Sequence, residues 1–403
     1  MRVSLSTVVA ALAALPLCLA AQQPRALPAP DASYSEPFTN VSFGTLRELR
    51  DGRVLVADPR DKILQIVDLK AGTAMRIGRE GSGPAEYGMP LRLLTAPGDT
   101  TLLFDPLNQR YLPVNPDGKA GSTFRVEFAP AQQGPGGGVL RMGMDLPRTA
   151  DARGRLYFES GGLTMGPDGP KAADSAAITR YDRAGRKLDT LAWVALPKNN
   201  AQVSGGQGNM NVRIGMANPL TPRDEWTVFP DGRVAIVRSP EYRVDWILPN
   251  GTKQSSAPIK YTPVKMGAAE IKDEEAERNR ARQGQMMMTV EQGPGGMRRN
   301  AQIGPGPNAP PLAPLTDWPA VKPPFRSGQA SVVARPNGEL WVRRTEGAGA
   351  KGTLYDVIDA KGVVTHQVRL AEGQNLVGFG NGTVYTTKAD EDDLLYLQRH
   401  RVP

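Results

Sequence analysis

The sequence has one cysteine, Cys18, and two histidines, His366 and His400. A single cysteine excludes an intrachain disulfide and a multi-thiolate metal cage. Two isolated histidines do not make a zinc signature, and H-E-x-x-H is absent. There is no G-x-S-x-G elbow, and neither histidine is placed to serve as the base of a hydrolytic triad. The loop Gly78-Arg79-Glu80-Gly81-Ser82-Gly83-Pro84-Ala85-Glu86-Tyr87 lacks the Gly-Lys-Ser/Thr ending of a phosphate loop, and no helical pattern follows it. Aromatic residues make up 6% of the chain. Beyond residue 20, no apolar run approaches the length of a membrane helix.

The N-terminus reads as an address. Arg2 precedes the apolar run Val8 to Leu19, and Cys18-Leu19-Ala20 fits a small-x-small cleavage site. Residues 1–20 are therefore expected to be a cleaved secretory signal peptide, too short to span a bilayer. A lipidated Cys18 is the alternative, and Leu17 in place of a small residue weighs against it. The expected location is the periplasm or the exterior. Net charge is +8, with Lys and Arg spread along the chain. That suits a soluble basic surface able to meet an anionic ligand or an envelope protein, not a specific nucleic-acid interface.

Glycine (44) and proline (36) are abundant, and the glycines are periodic. Six turns each precede a short apolar run. They are Asp51-Gly52 before Val54-Leu55-Val56, Pro97-Gly98 before Leu102-Leu103-Phe104, and Arg153-Gly154 before Leu156-Tyr157-Phe158. Asp231-Gly232, Asn337-Gly338 and Asn381-Gly382 behave in the same way. Asp-Gly and Asn-Gly supply the positive φ angles of tight hairpins. In five units a second turn follows roughly 20 to 30 residues on, at Gly72, Gly118, Gly185, Gly251 and Gly362. One four-stranded sheet cannot bury both faces, but repeated sheets can cover one another. The expected fold is all-β: a six-bladed β-propeller over residues 34–403 with four-stranded antiparallel blades. The last unit lacks an outer strand, and Tyr34 to Thr39 is the candidate to supply it and close the ring. Residues 21–33 read as a flexible lead-in.

The long segments all fall on one face of this disc. If strands a to d run outwards from the axis, every tight glycine turn lies on the a–b and c–d side. Gly78 to Pro90, Gly161 to Ala173, Ala195 to Arg223 and an insertion at about 267–328 lie on the other side. Elaborated loops on a rigid scaffold are where function is expected. Within the insertion, Ala268 to Gln285 reads as an exposed helix, with Glu274–Arg278 as an i,i+4 pair. Met286-Met287-Met288 and the Gly/Pro-rich stretch after it read as mobile.

Candidate ligand contacts are therefore sought on the elaborated face. Strand-b ends and b–c turns supply Asp58, Arg60, Arg238, Arg343 and Arg344, and the crossing loop supplies Arg79, Glu86 and Tyr87. Glu159 belongs to the same ring of polar strand ends. Arg343 and Arg344 follow a buried strand, and arginine can grip a carboxylate or phosphate through its planar fork. No cofactor is called for. A divalent cation is conceivable at Asp390, Asp392 and Asp393, or at axial carboxylates such as Glu48 and Asp58.

The turns Asp231-Gly232-Arg233-Val234 and Asn337-Gly338-Glu339-Leu340-Trp341-Val342, with the glycine-rich loop at 78–87, resemble those of secreted bacterial six-bladed β-propellers related to the NHL-repeat propellers. The resemblance spans roughly residues 34–403 and implies a fold rather than a reaction, since some relatives are metal-dependent lactonases or lyases. The reading that follows is a monomeric exported binding module that presents its elaborated face to a polar ligand or protein. A lactonase-like hydrolase or lyase with an axial divalent ion is the alternative.

Overall fold

In the computed structural model, which describes residues 23–402 apart from 127–138, 141–145, 162, 167–168, 198–200, 205–210, 215–217, 294–295, 306–310 and 313, six antiparallel sheets form a six-bladed β-propeller. Blade 1 contains Leu46–Glu48, Val54–Asp58, Ile63–Asp68 and Thr73–Arg76. In blade 2, Arg92–Thr95, Thr101–Asp105 and Arg110–Val114 pair in order, and bridges at Ala120 and Phe124 mark a reduced outer edge. Blade 3 runs from Pro147–Ala150 through Leu156–Ser160 and Ser175–Asp182 to Lys187–Ala195. Blade 4 uses Glu225–Val228, Val234–Arg238, Arg243–Ile247 and Lys253–Ser255. Blade 5 uses Val332–Ala334, Leu340–Arg343, Thr353–Ile358 and Val364–Leu370. Blade 6 has Gln374–Gly380, Thr383–Ala389 and Leu395–Arg401.

Alternation along the second strand of each blade explains why the sheets need one another. Val54 and Val56 pack with Val377, Tyr385 and Leu397 of blade 6, while Leu55 and Ala57 pack with Leu93, Leu103 and Leu112 of blade 2. The same division recurs between the other neighbours. Side chains of successive residues leave opposite faces of a strand, so each second strand feeds two inter-blade cores. That is why these strands read as continuous apolar runs.

The N-terminal segment closes the ring as expected, slightly earlier than expected. Ala32–Ser33 pairs with Arg399 and Gln398, Phe38 bridges Leu395, and Tyr34 and Phe38 are buried in the blade 1–blade 6 core. The described part of the expected flexible lead-in, residues 23–33, is paired with the blades at Arg25–Ala26 and Ala32–Ser33. Arg25–Ala26 adds a parallel fifth strand beside Val368 and Arg369 of blade 5. Asp31 holds Arg399 at 2.8 Å and Arg401 at 2.9 Å. These guanidiniums, Arg399 first, bring its carboxyl down to about 2. Backbone pairing and charge together order a segment whose composition alone did not call for structure.

The insertion departs from expectation in two ways. Helix α1, Ala268–Gln283, forms and most of it is exposed, but it is docked through one buried residue. Glu274 is buried and pairs with Lys322 at 3.0 Å and Arg326 at 2.7 Å, in place of the expected Glu274–Arg278 pair. A thin apolar stripe did not prevent docking because the contact is ionic. After α1, Met286–Gly293 pairs antiparallel with Gly296–Ile303, so the methionines enter a strand. Two further hairpins, Leu163–Gly166 with Gly169–Ala172 and Ala201–Ser204 with Asn211–Ile214, sit in the other long segments. The extra structure therefore lies on the loop-rich face.

Candidate functional site at the axial mouth

The structure does not bring the expected contact residues together. Asp58 is buried, and its carboxylate accepts hydrogen bonds from the backbone N–H groups of Thr39 (2.7 Å), Asn40 (3.0 Å), Arg60 (3.1 Å) and Asp61 (3.2 Å). It caps a turn and anchors the closing strand. Arg60 donates to the Gln283 carbonyl at the end of α1, 2.7 Å away. Tyr87 is fully buried, with its hydroxyl between Leu64 N and Ile77 O. The tyrosine that looked like a loop contact is a core residue. Glu86 accepts from Arg79 at 2.8 Å and from Gly83 N at 2.7 Å. A Cβ on Gly81 would stand 2.2 Å from the Glu86 carboxylate, so the glycine-rich loop is shaped around its own side chain.

The arginines at strand ends are also engaged. Arg238 pairs with Asp224 at 2.6 Å and Asp245 at 2.7 Å. Arg343 reaches Glu277 of α1 at 3.0 Å. There burial opposes ionisation, but the positive charges of Arg326 and Arg343 outweigh it and hold the Glu277 carboxyl below its ordinary value. Arg344 pairs with the buried Asp356 at 2.9 Å and lies over the rings of Tyr242 and Tyr261. Burial, then the Asp356 charge, pushes the Tyr242 hydroxyl well up.

The acidic turn is self-contained. Asp390 accepts from the backbone of Asp392 at 3.0 Å and Leu394 at 2.9 Å, and Asp393 takes a positive φ. Glu48 accepts from Asn381 N, Thr383 and Tyr385 of blade 6. Among the described residues no group of three His, Cys, Asp or Glu side chains is gathered to hold a metal.

A second set of charged residues, not singled out from the sequence apart from Glu159, does converge. The innermost strands of all six blades line a cavity of about 580 Å³ on the propeller axis. Each such strand starts on the elaborated side, so its first residues form that mouth. Arg92 and Glu225 are first residues of their strands, Arg148 is a second residue, and Glu159 stands near the end of the adjoining strand. Arg148 binds Glu159 at 2.8 Å and also binds Glu225, which is 2% exposed. Arg223 binds Glu159 at 2.9 Å and Glu225 at 3.2 Å. The four residues make a closed ring of ion pairs. Trp226 Nε1 donates to Glu159 (2.7 Å), Gly328 N donates to Glu225 (3.1 Å), and the Arg148 guanidinium lies over the Trp226 ring.

Burial disfavours charge on Glu159, but Arg148 and Arg223 overcome it and hold its carboxyl below the usual value. The same ring keeps Arg148 protonated against burial, through Glu225 and Glu159. One charged residue at the start of an axis-lining strand says little alone. A charged first or second residue in the inner strands of blades 2, 3 and 4 is the signal that could have found the site.

No family model matches this chain, and no curated protein matches it. Solved structures do align over most of its length. A gluconolactonase from Xanthomonas campestris shares 10% identity over 95% of this chain and 96% of that one, at a TM-score of 0.41. A calcium-binding regucalcin from Agrobacterium tumefaciens shares 11% over 94% and 97%, at 0.41. A member of a family of unknown function from Bacteroides vulgatus shares 7% over 93% and 97%, at 0.45. No reaction or ligand carries over at such identities.

Proposed function

We propose that this chain is an exported binding propeller, related to the NHL-type group, that takes a small polar ligand at the axial mouth of its elaborated face. The observation that supports this reading is the ion-pair ring of Arg148, Glu159, Arg223 and Glu225, held at the starts of the inner strands of blades 3 and 4 beside a cavity of about 580 Å³. That volume is in the range of small-molecule pockets, and fixed polar groups set between apolar walls are what orient such a ligand. The reading is of binding rather than turnover. Glu159, held by two guanidiniums and below its ordinary pKa, is a poor proton acceptor at neutral pH.

The test is a ligand screen by saturation-transfer NMR with small polar metabolites. Thr227 lines the cavity, so wild type would be compared with Thr227→Trp, which fills the channel, and with the double variant Arg343→Ala, Arg344→Ala on the rim. Binding lost in Thr227→Trp supports the axial mouth. Binding that survives channel filling but is lost with the rim arginines would move the site to the rim.

A further inference from the structure

We propose that Arg92 anchors an anion subsite at this mouth, and that its ligand carries a single carboxylate on an apolar body; the inference rests on the channel reading above. The ion-pair ring is neutral within itself: two arginines face two glutamates. Arg92 stands outside it. Its one hydrogen bond among the described residues is from Nη1 to the Arg148 carbonyl oxygen, at 2.9 Å. No carboxylate among the described residues pairs with it, whereas Arg47 on the same cavity wall is matched by Asp99 at 2.6 Å. A guanidinium has five N–H donors in a fixed fork, so most of the binding capacity of Arg92 is unused.

Gly44 makes room for this side chain. A Cβ at that position would stand 3.2 Å from Arg92 Nη1, and Gly44 has φ +93°, where other residues are strained. Burial, with the charge of Arg148, brings Arg92 down to about 10, so it is still a cation at neutral pH. A partly buried cation without a counter-charge is unfavourable, and an incoming anion relieves that cost.

The class of anion follows from the count. One surplus positive charge is neutralised by one negative charge. A phosphate monoester, near −2, would leave an excess beside Glu159 and Glu225. A carboxylate also matches the fork in bidentate geometry. The rest of the ligand meets Phe43, Leu146, Val333 and Phe379, which are apolar cavity walls.

The probes are phenylacetate, phenylacetamide and phenyl phosphate, titrated into the purified chain by calorimetry with saturation-transfer NMR as a check. Phenylacetate is expected to bind, with the amide about tenfold or more weaker. Arg92→Met should weaken phenylacetate by about tenfold or more, Arg92→Lys less, and the exposed control Arg79→Ala not at all. Equal binding of acid and amide, equal binding of phenylacetate to wild type and Arg92→Met, or no carboxylate binding overturns the proposal. A preference for phenyl phosphate overturns the single-charge claim. If Arg92→Met fails to fold, the acid–amide comparison in wild type and Arg92→Lys still decides. Binding that ignores Arg92 but is abolished by Thr227→Trp would sink this inference alone. Binding that Thr227→Trp leaves intact would sink the channel reading with it.

Discussion

Two groups of arginines occupy the elaborated face, and they are in opposite situations. Those on the rim, Arg79, Arg238, Arg343 and Arg344, each have a carboxylate within 3.0 Å. At the axial mouth, Arg148 and Arg223 are matched by Glu159 and Glu225, and Arg92 has, among the described residues, a carbonyl oxygen only. The rim carries more arginines and less unsatisfied charge. Its residues hold blades and insertion together, and exposure on a loop-rich face is not evidence of a free binding group. Convergence on the axis is a better guide, since six rigid strands bring side chains from distant parts of the chain to one place.

Variants can break this contrast. The largest effect is expected from Arg344→Ala. It leaves Asp356, 1% exposed, without its cation and facing only Tyr242 and Gln367. Removing one partner of a buried pair costs about 3–5 kcal/mol. The melting temperature should fall by many degrees, and an unchanged value would return Arg344 to the list of free contacts.

Acid comes next. The folded pKa of Glu159 lies below its ordinary 4.5. Its contribution is therefore full above the unfolded value and is lost as pH falls through the folded one. Melting temperatures of wild type and Glu159→Gln, followed from pH 7 to pH 3, should converge as the pH drops below about 4.5. Parallel curves would mean that the ring does not stabilise the fold.

The smallest effects sharpen the contrast from the other side. Arg92→Met should cost no stability, because burying an unmatched charge is unfavourable to begin with. Arg79→Ala should leave the melting temperature unchanged, since its side chain is 81% exposed and such pairs contribute little. A loss in Arg92→Met comparable to that in Arg344→Ala would erase the distinction between mouth and rim.

The fold was legible because its signals are local. Asp231-Gly232 or Asn337-Gly338 ahead of an apolar run states a turn and a doubly covered strand within ten residues, and repetition then gives the ring. The closing strand was legible from a missing partner. Arg25–Ala26 was not, since a two-residue strand rests on backbone pairing with blade 5 and leaves no side-chain pattern. The docking of α1 was hidden for a different reason. Glu274 reads as a solvated helix residue until Lys322 and Arg326, about fifty positions away, are folded over it. The axial mouth had the same difficulty. Arg92, Arg148 and Glu225 lie at the starts of strands in three blades and Arg223 lies in a connection before one of them, and nothing in the sequence says which of these ends meet. Residues on one loop, such as Glu86 and Tyr87, were easier to nominate, and the structure turns both inward to support that loop.

The central claim is that ligands enter at the axial mouth rather than on the rim. Hydrogen–deuterium exchange on the purified chain, with and without a small-molecule fraction from cell-envelope extract, tests it most directly. The account predicts added protection in 92–95, 147–150, 225–228 and 328–334, with the rim segments 78–87 and 340–352 unchanged. Protection confined to those rim segments, with the inner strands unaltered, would contradict it.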